Sequence, residues 1–293
     1  MNSLFKFLAL ALFITLSGCS STINLNLKEN SQTLSYVDFR KSENNKYAIV
    51  IKGNTYSIER DSLTINELVG DLPADAKEIP DAYLVADIKE ITKLLKFKGY
   101  DVYSAKNINE FYTLIRLIEK ESLTLKDPSD IPKLFIAYSG EGNKEGLNIR
   151  SFIVNSTTVL SYAGDRLKVK DVIDSLRTVN AKKLLLLNAC ESGTFIDIIK
   201  RDNLEYRGVI ISACDVGFST TPCESAGHSA LYASLLELYE SDPNIEINLA
   251  DPGFTKVGRF INNYRHIWVD FWNRSGLPIS YRPVIFFTDA FKL

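Results

Sequence analysis

Between residues 45 and 293, short apolar runs of β type alternate with stretches of helical periodicity. Tyr47–Lys52 (YAIVIK), Leu134–Tyr138 (LFIAY), Leu184–Leu187 (LLLL), Val209–Ser212 (VIIS) and Pro283–Phe287 (PVIFF) are the main strand segments. Residues 84–99 put Leu84, Ile88, Ile91, Leu94 and Leu95 on one helical face, closed by Gly99, and Val102–Tyr103 follows as a short strand. Further helices are expected at Phe111–Ile118 behind an Asn107 or Asn109 cap, at Val169–Val179 and at Ser229–Tyr239, with a hairpin around 147–160. Such alternation predicts an α/β fold with a mostly parallel central sheet flanked by helices. No Pro/Gly/Ser-rich linker, internal repeat or low-complexity run breaks the pattern after residue 45, so 45–293 is read as one domain.

The segment before it has another purpose. Lys6 precedes the ten-residue stretch Phe7–Leu16 (FLALALFITL), which Leu16-Ser17-Gly18-Cys19 follows. That stretch is too short to span ~30 Å of hydrocarbon as a helix and has the layout of an export signal. Its end resembles a bacterial lipobox. The resemblance implies a signal peptide over 1–18, lipid attachment at Cys19, a polar linker over 19–44 and a protein tethered to a membrane of the bacterial cell envelope. Acyl chains contribute about 0.8 kcal/mol per buried CH₂, so a multiply acylated Cys19 is a durable anchor.

Composition removes several functions. With 34 Lys+Arg against 36 Asp+Glu there is no excess charge to attract nucleic acid. Two histidines and four scattered cysteines do not make a zinc site, and neither a metal nor another cofactor is expected. Setting Cys19 aside leaves Cys190, Cys214 and Cys223; Cys214 and Cys223 are close enough in sequence to form a disulfide.

In open parallel sheets, ligands gather outside the carboxyl ends of the strands. Two strand ends here carry glycines: Tyr138-Ser139-Gly140-Glu141-Gly142 and Asn188-Ala189-Cys190-Glu191-Ser192-Gly193. The pair YSG-x-G and ACESG, with RGVIISACDVGFSTTPCES and AGHSALYASLLELY downstream, resembles the caspase/legumain superfamily of cysteine endopeptidases, including metacaspase-like proteins of bacteria. The resemblance runs from about Tyr47 to Phe287. It implies a caspase-like three-layer sandwich, a peptide or protein substrate, and a Cys190 thiolate attacking a peptide carbonyl. Backbone N–H groups of Gly142 and Cys190 would then form the oxyanion hole.

The chain departs from that pattern at the base. The position between the glycines, where the family carries histidine, holds Glu141. A carboxylate with an ordinary pKa of ~4.3 is a poor match for a thiol at ~8.5, and its charge disfavours a neighbouring thiolate. His228, in AGHSAL, is the alternative base; its other expected place is a solvent-facing helix start. His266, in NNYRHIWVDFW, reads as structural, as do Tyr264, Trp268, Phe271 and Trp272. Cys190 itself is either a site thiol or a buried structural one, and Glu191 and Ser192 are either site residues or helix caps. Two readings therefore stand: a membrane-tethered cysteine endopeptidase with a non-standard base, and a pseudopeptidase that binds peptide or serves as an envelope scaffold.

Overall fold

The structure, a computed structural model, describes residues 23–25, 39–40, 42–59, 73–124, 131–154, 158–162, 166–217, 220, 222–223, 227–241 and 284–287. The export segment, Cys19, His266 and the aromatic stretch around Trp268 lie outside them. Its central unit runs β1 (Lys46–Lys52), α1 (Ala82–Phe97), β2 (Asp101–Ser104), α2 (Ile108–Ser122), β3 (Lys133–Ser139), α3 (Val169–Thr178), β4 (Lys182–Asn188), α4 (Thr194–Arg201), β5 (Gly208–Ser212), α5 (Ala230–Ser241) and β6 (Val284–Phe287). The six strands form one sheet in the order β6-β5-β4-β3-β1-β2. Every neighbouring pair is parallel except β5 with β6. This is the expected α/β architecture.

The apolar strands follow from the layering. A strand covered on both faces has no polar side, so LLLL needs no alternation. Ile49, Ile51, Ile136, Tyr138, Leu185 and Leu187 face one layer, where Phe111, Ile115, Ile173, Leu176 and Phe195 of α2, α3 and α4 close the core. Ala48, Val50, Phe135, Ala137, Leu184 and Leu186 face the other, against Ile91 and Leu95 of α1 and Leu231 and Leu235 of α5. Each such Leu, Ile or Phe contributes roughly 1.5–3 kcal/mol on burial.

Caps fix the helix starts. The Asp81 side chain accepts from Tyr83 N at 2.9 Å and Leu84 N at 3.1 Å at the head of α1. Asn107, not Asn109, caps α2, accepting from Glu110 N at 2.9 Å, while Glu110 reaches back to Lys106 N at 2.8 Å.

A second sheet was not foreseen in the sequence. Asn54–Ile58, Lys77–Ile79, Arg150–Val154, Thr158–Tyr162 and Ile23–Leu25 form five strands beyond the carboxyl end of β1. The expected hairpin around 147–160 is there: Thr158 pairs with Val154 and Ser161 with Ser151. Ile23–Leu25, inside the stretch expected to be linker, pairs in parallel with Leu160–Tyr162. Helix α4 was also missed in the sequence, although Phe195, Ile196 and Ile199 are buried on one side of it.

Candidate active site

Register brings the two glycine loops together. Asn188 ends β4 opposite Ser139, which ends β3, and Ser139 is also opposite Lys52 at the end of β1. The loops leave level strand ends side by side. Gly140 N donates to Asn188 O at 3.0 Å, and Gly53 N to Ser139 O at 2.9 Å. Gly142 is seated directly on the cysteine loop: a Cβ there would stand 2.8 Å from Ala189 Cβ and 2.8 Å from Cys190 O. Only glycine allows this approach.

Cys190 is half-buried at the loop tip, so it is not the buried structural thiol that its strand-end position also allowed. The turn behind it is tight. Glu191 takes φ 53°, and Gly193 N donates to Cys214 O at 2.8 Å. Ser192 is buried, its hydroxyl 2.7 Å from Ser212 Oγ and 3.2 Å from Leu187 O. It ties the loop to the sheet and does not cap α4, which has no side-chain cap. Cys214 is a buried thiol donating to Ala189 O at 3.1 Å, and burial pushes it up to about 12. That is a different role from the disulfide with Cys223 that the spacing allowed; the Cys223 side chain lies outside the described residues.

Glu141 is on the rim of the same loops. Its backbone oxygen is 2.6 Å from the buried Tyr138 hydroxyl and accepts from Asn148 N at 2.9 Å. The cleft wall desolvates its carboxyl, and Asp81 adds like charge, so its pKa is raised. The side chain remains exposed to water, which works against a large shift. Burial, Glu141 and Cys190 together hold the Tyr138 phenol protonated well above its ordinary range, so both groups lie within electrostatic reach of that hydroxyl.

On the opposite face of the sheet, His228 joins a cluster centred on Asp87, a residue that the sequence motifs do not single out. Asp87 of α1 has no exposed surface. Its Oδ2 accepts from Ser139 Oγ at 2.8 Å, with Asn188 Nδ2 at 3.5 Å; its Oδ1 accepts from Ser229 N at 3.0 Å and faces His228 Nδ1 at 3.2 Å. Asn188 Nδ2 also donates to Ser139 Oγ at 2.9 Å, and Thr220 Oγ1 donates to Asn188 Oδ1 at 2.9 Å. His228 is therefore not the solvent-facing helix residue that was one expectation: its side chain is only 16% exposed and held by a buried carboxylate.

Of the residues singled out from sequence, Gly142 and Cys190 are thus in contact, Glu141 adjoins them, and His228 is tied through Asp87 to the residue two before Cys190. Asp87 did leave a signal. It occupies the apolar stripe of α1, three after Leu84 and four before Ile91, where a carboxylate needs buried partners. Among the described residues, no group of three His, Cys, Asp or Glu is placed to hold a metal ion, and no helix is long and apolar enough to cross a membrane.

The chain is similar to the crystal structure of caspase-1 from Spodoptera frugiperda, with a TM-score of 0.48 and 16% identity over 89% of this chain and 93% of that one. It is also similar to a secreted C11 cysteine protease from Bacteroides thetaiotaomicron in complex with an irreversible peptide inhibitor. There the TM-score is 0.35 and the identity 11%, over 80% of this chain and 62% of that one. No family model and no curated protein matches the sequence.

Proposed function

We propose that this chain is a caspase/legumain-like cysteine endopeptidase homologue with Cys190 as nucleophile. The observation that carries the reading is the seating of Gly142 against the Ala189 side chain and the Cys190 backbone, at level strand ends where Cys190 is half-buried. In this mechanism the Cys190 thiolate attacks the carbonyl carbon of a peptide bond, and the N–H groups of Gly142 and Cys190 stabilise the oxyanion. Collapse expels the amine, which takes up the proton first removed from the thiol. Water then attacks the thioester, releasing the new carboxyl end and restoring the thiol. The base is non-standard, drawn from Glu141 or His228.

A second reading has its own support. The loop that should supply an imidazole presents the exposed Glu141 carboxylate, which favours a pseudopeptidase that binds peptide or acts as an envelope scaffold. Turnover of a panel of fluorogenic peptides by wild type, Cys190→Ala and Glu141→His separates the two. Turnover by wild type that Cys190→Ala loses supports the endopeptidase. Turnover appearing only in Glu141→His supports the pseudopeptidase. Lipid attachment at Cys19, with tethering to the cell envelope, belongs to the same proposal; incorporation of labelled palmitate that Cys19→Ala abolishes is its test.

A further inference from the structure

We propose that Asp87 is the positioning residue of the site and that it acts through His228, whose Nε2 holds the proton released by the Cys190 thiol. The inference rests on Cys190 being the nucleophile and names the base left open above.

Two features of the cluster support it. First, the Asp87 carboxylate is saturated from within the protein: Ser139, Asn188, Ser229 N and His228 approach its two oxygens. A fully buried carboxylate with these partners is an orienting group, since it has no surface left with which to touch a substrate. Secondly, its partners are the last residues of β3 and β4. Ser139 precedes the loop of Glu141 and Gly142, Asn188 precedes Cys190 by two, and Thr220 holds the other end of the Asn188 amide. At about 3.8 Å per residue, Cys190 Cα lies within about 8 Å of Asn188 Cα.

The hydrogen bond decides the tautomer. A carboxylate only accepts, so the Nδ1 facing Asp87 Oδ1 carries the proton and Nε2 keeps the lone pair. When the Cys190 S–H bond breaks, the electron pair remains on sulfur and the proton goes to Nε2. The imidazolium so formed has its charge balanced by the Asp87 carboxylate. Glu141 and Cys190 both lie within electrostatic reach of the Tyr138 hydroxyl, and Cys190 within that of Cys214; His228 meets Asp87 from α1 and the backbone of Cys223 across the antiparallel pair Pro222–Cys223 and His228–Ser229.

The test reads the thiol directly and needs no peptide turnover. Iodoacetamide alkylation of Cys190, followed by intact mass between pH 5 and 10, is expected to show a thiolate in wild type that His228→Gln loses, with the rate at pH 7 falling about tenfold or more. Asp87→Asn should lose it similarly, and the double variant should be no worse than His228→Gln alone. Lys93→Ala, an exposed change on the same helix, serves as the control. Because Asp87→Asn removes a buried acceptor and can unfold the chain, ¹⁵N shifts of His228 in wild type supply a second readout: protonated Nδ1 and unprotonated Nε2. The opposite tautomer, or an alkylation profile that neither His228→Gln nor Asp87→Asn moves, overturns the proposal. A His228-dependent profile without peptide cleavage would sustain the dyad while removing the peptidase reading.

Discussion

His228 Nδ1 stands 3.2 Å from Asp87 Oδ1, joining α1 to the segment just before α5, 141 positions away, beside Ser139 and Asn188 at the carboxyl ends of β3 and β4. The contact explains why a charged residue sits in the apolar stripe of α1. Without its donors, a buried carboxylate would cost several kcal/mol; with them it fixes α1, β3, β4 and the start of α5 relative to one another.

Replacing that carboxylate by an amide tests the cluster. Asp87→Asn keeps the shape but turns one acceptor oxygen into a donor, facing either Ser139 and Asn188 or His228 and Ser229 N. A loss of about 1–3 kcal/mol is expected, larger than for an exposed change on the same helix. Urea denaturation of Asp87→Asn beside Lys93→Ala measures it.

Gly142→Ala drives a methyl group into Ala189 Cβ and Cys190 O, both at 2.8 Å. The Cys190 loop is held behind by Ser192 and Cys214 and has little room to retreat. The expected cost is about 1–3 kcal/mol, a melting temperature lower by several degrees, together with slower alkylation of Cys190. Differential scanning calorimetry and the alkylation assay check the two effects together.

Lys183, 3% exposed at the start of β4, donates to Val179 O at 2.7 Å. Burial, reinforced by Arg207, lowers its ammonium from 10.5 to about 8. The folded state thus disfavours the charged form. The penalty is full below pH 8 and disappears as pH rises through 10.5, because the unfolded chain still binds the proton that the folded chain has lost. Relative to Lys183→Met, wild type should gain up to about 3 kcal/mol between pH 8 and 10.5. Urea denaturation of both proteins across that window gives the difference, in which the buried tyrosines cancel.

The central sheet was legible because LFIAY and LLLL are covered on both faces and need no polar alternation. The accessory sheet was not: Asn54–Ile58 (NTYSI) is half-buried along most of its length, and its strands are held by pairing across distant segments. Helix α4 was hidden behind ACESG, whose glycine and serine read as loop. Within the candidate site, the places of Cys190, Glu141 and Gly142 at two strand ends were readable. Asp87 was not picked out, because its importance comes from a tertiary contact; only its place in the apolar stripe of α1 gave it away. His228 was readable as a residue but not as a partner.

The most direct measurement is labelling of purified protein with a peptidyl acyloxymethyl ketone, resolved by intact mass and peptide mapping, in wild type and Cys190→Ala. A single adduct on Cys190 that is faster than iodoacetamide modification and absent from Cys190→Ala is the predicted result. Equal labelling of both proteins, or a Cys190 that iodoacetamide modifies while the peptidyl probe does not, would contradict a peptide-binding cleft built around this thiol.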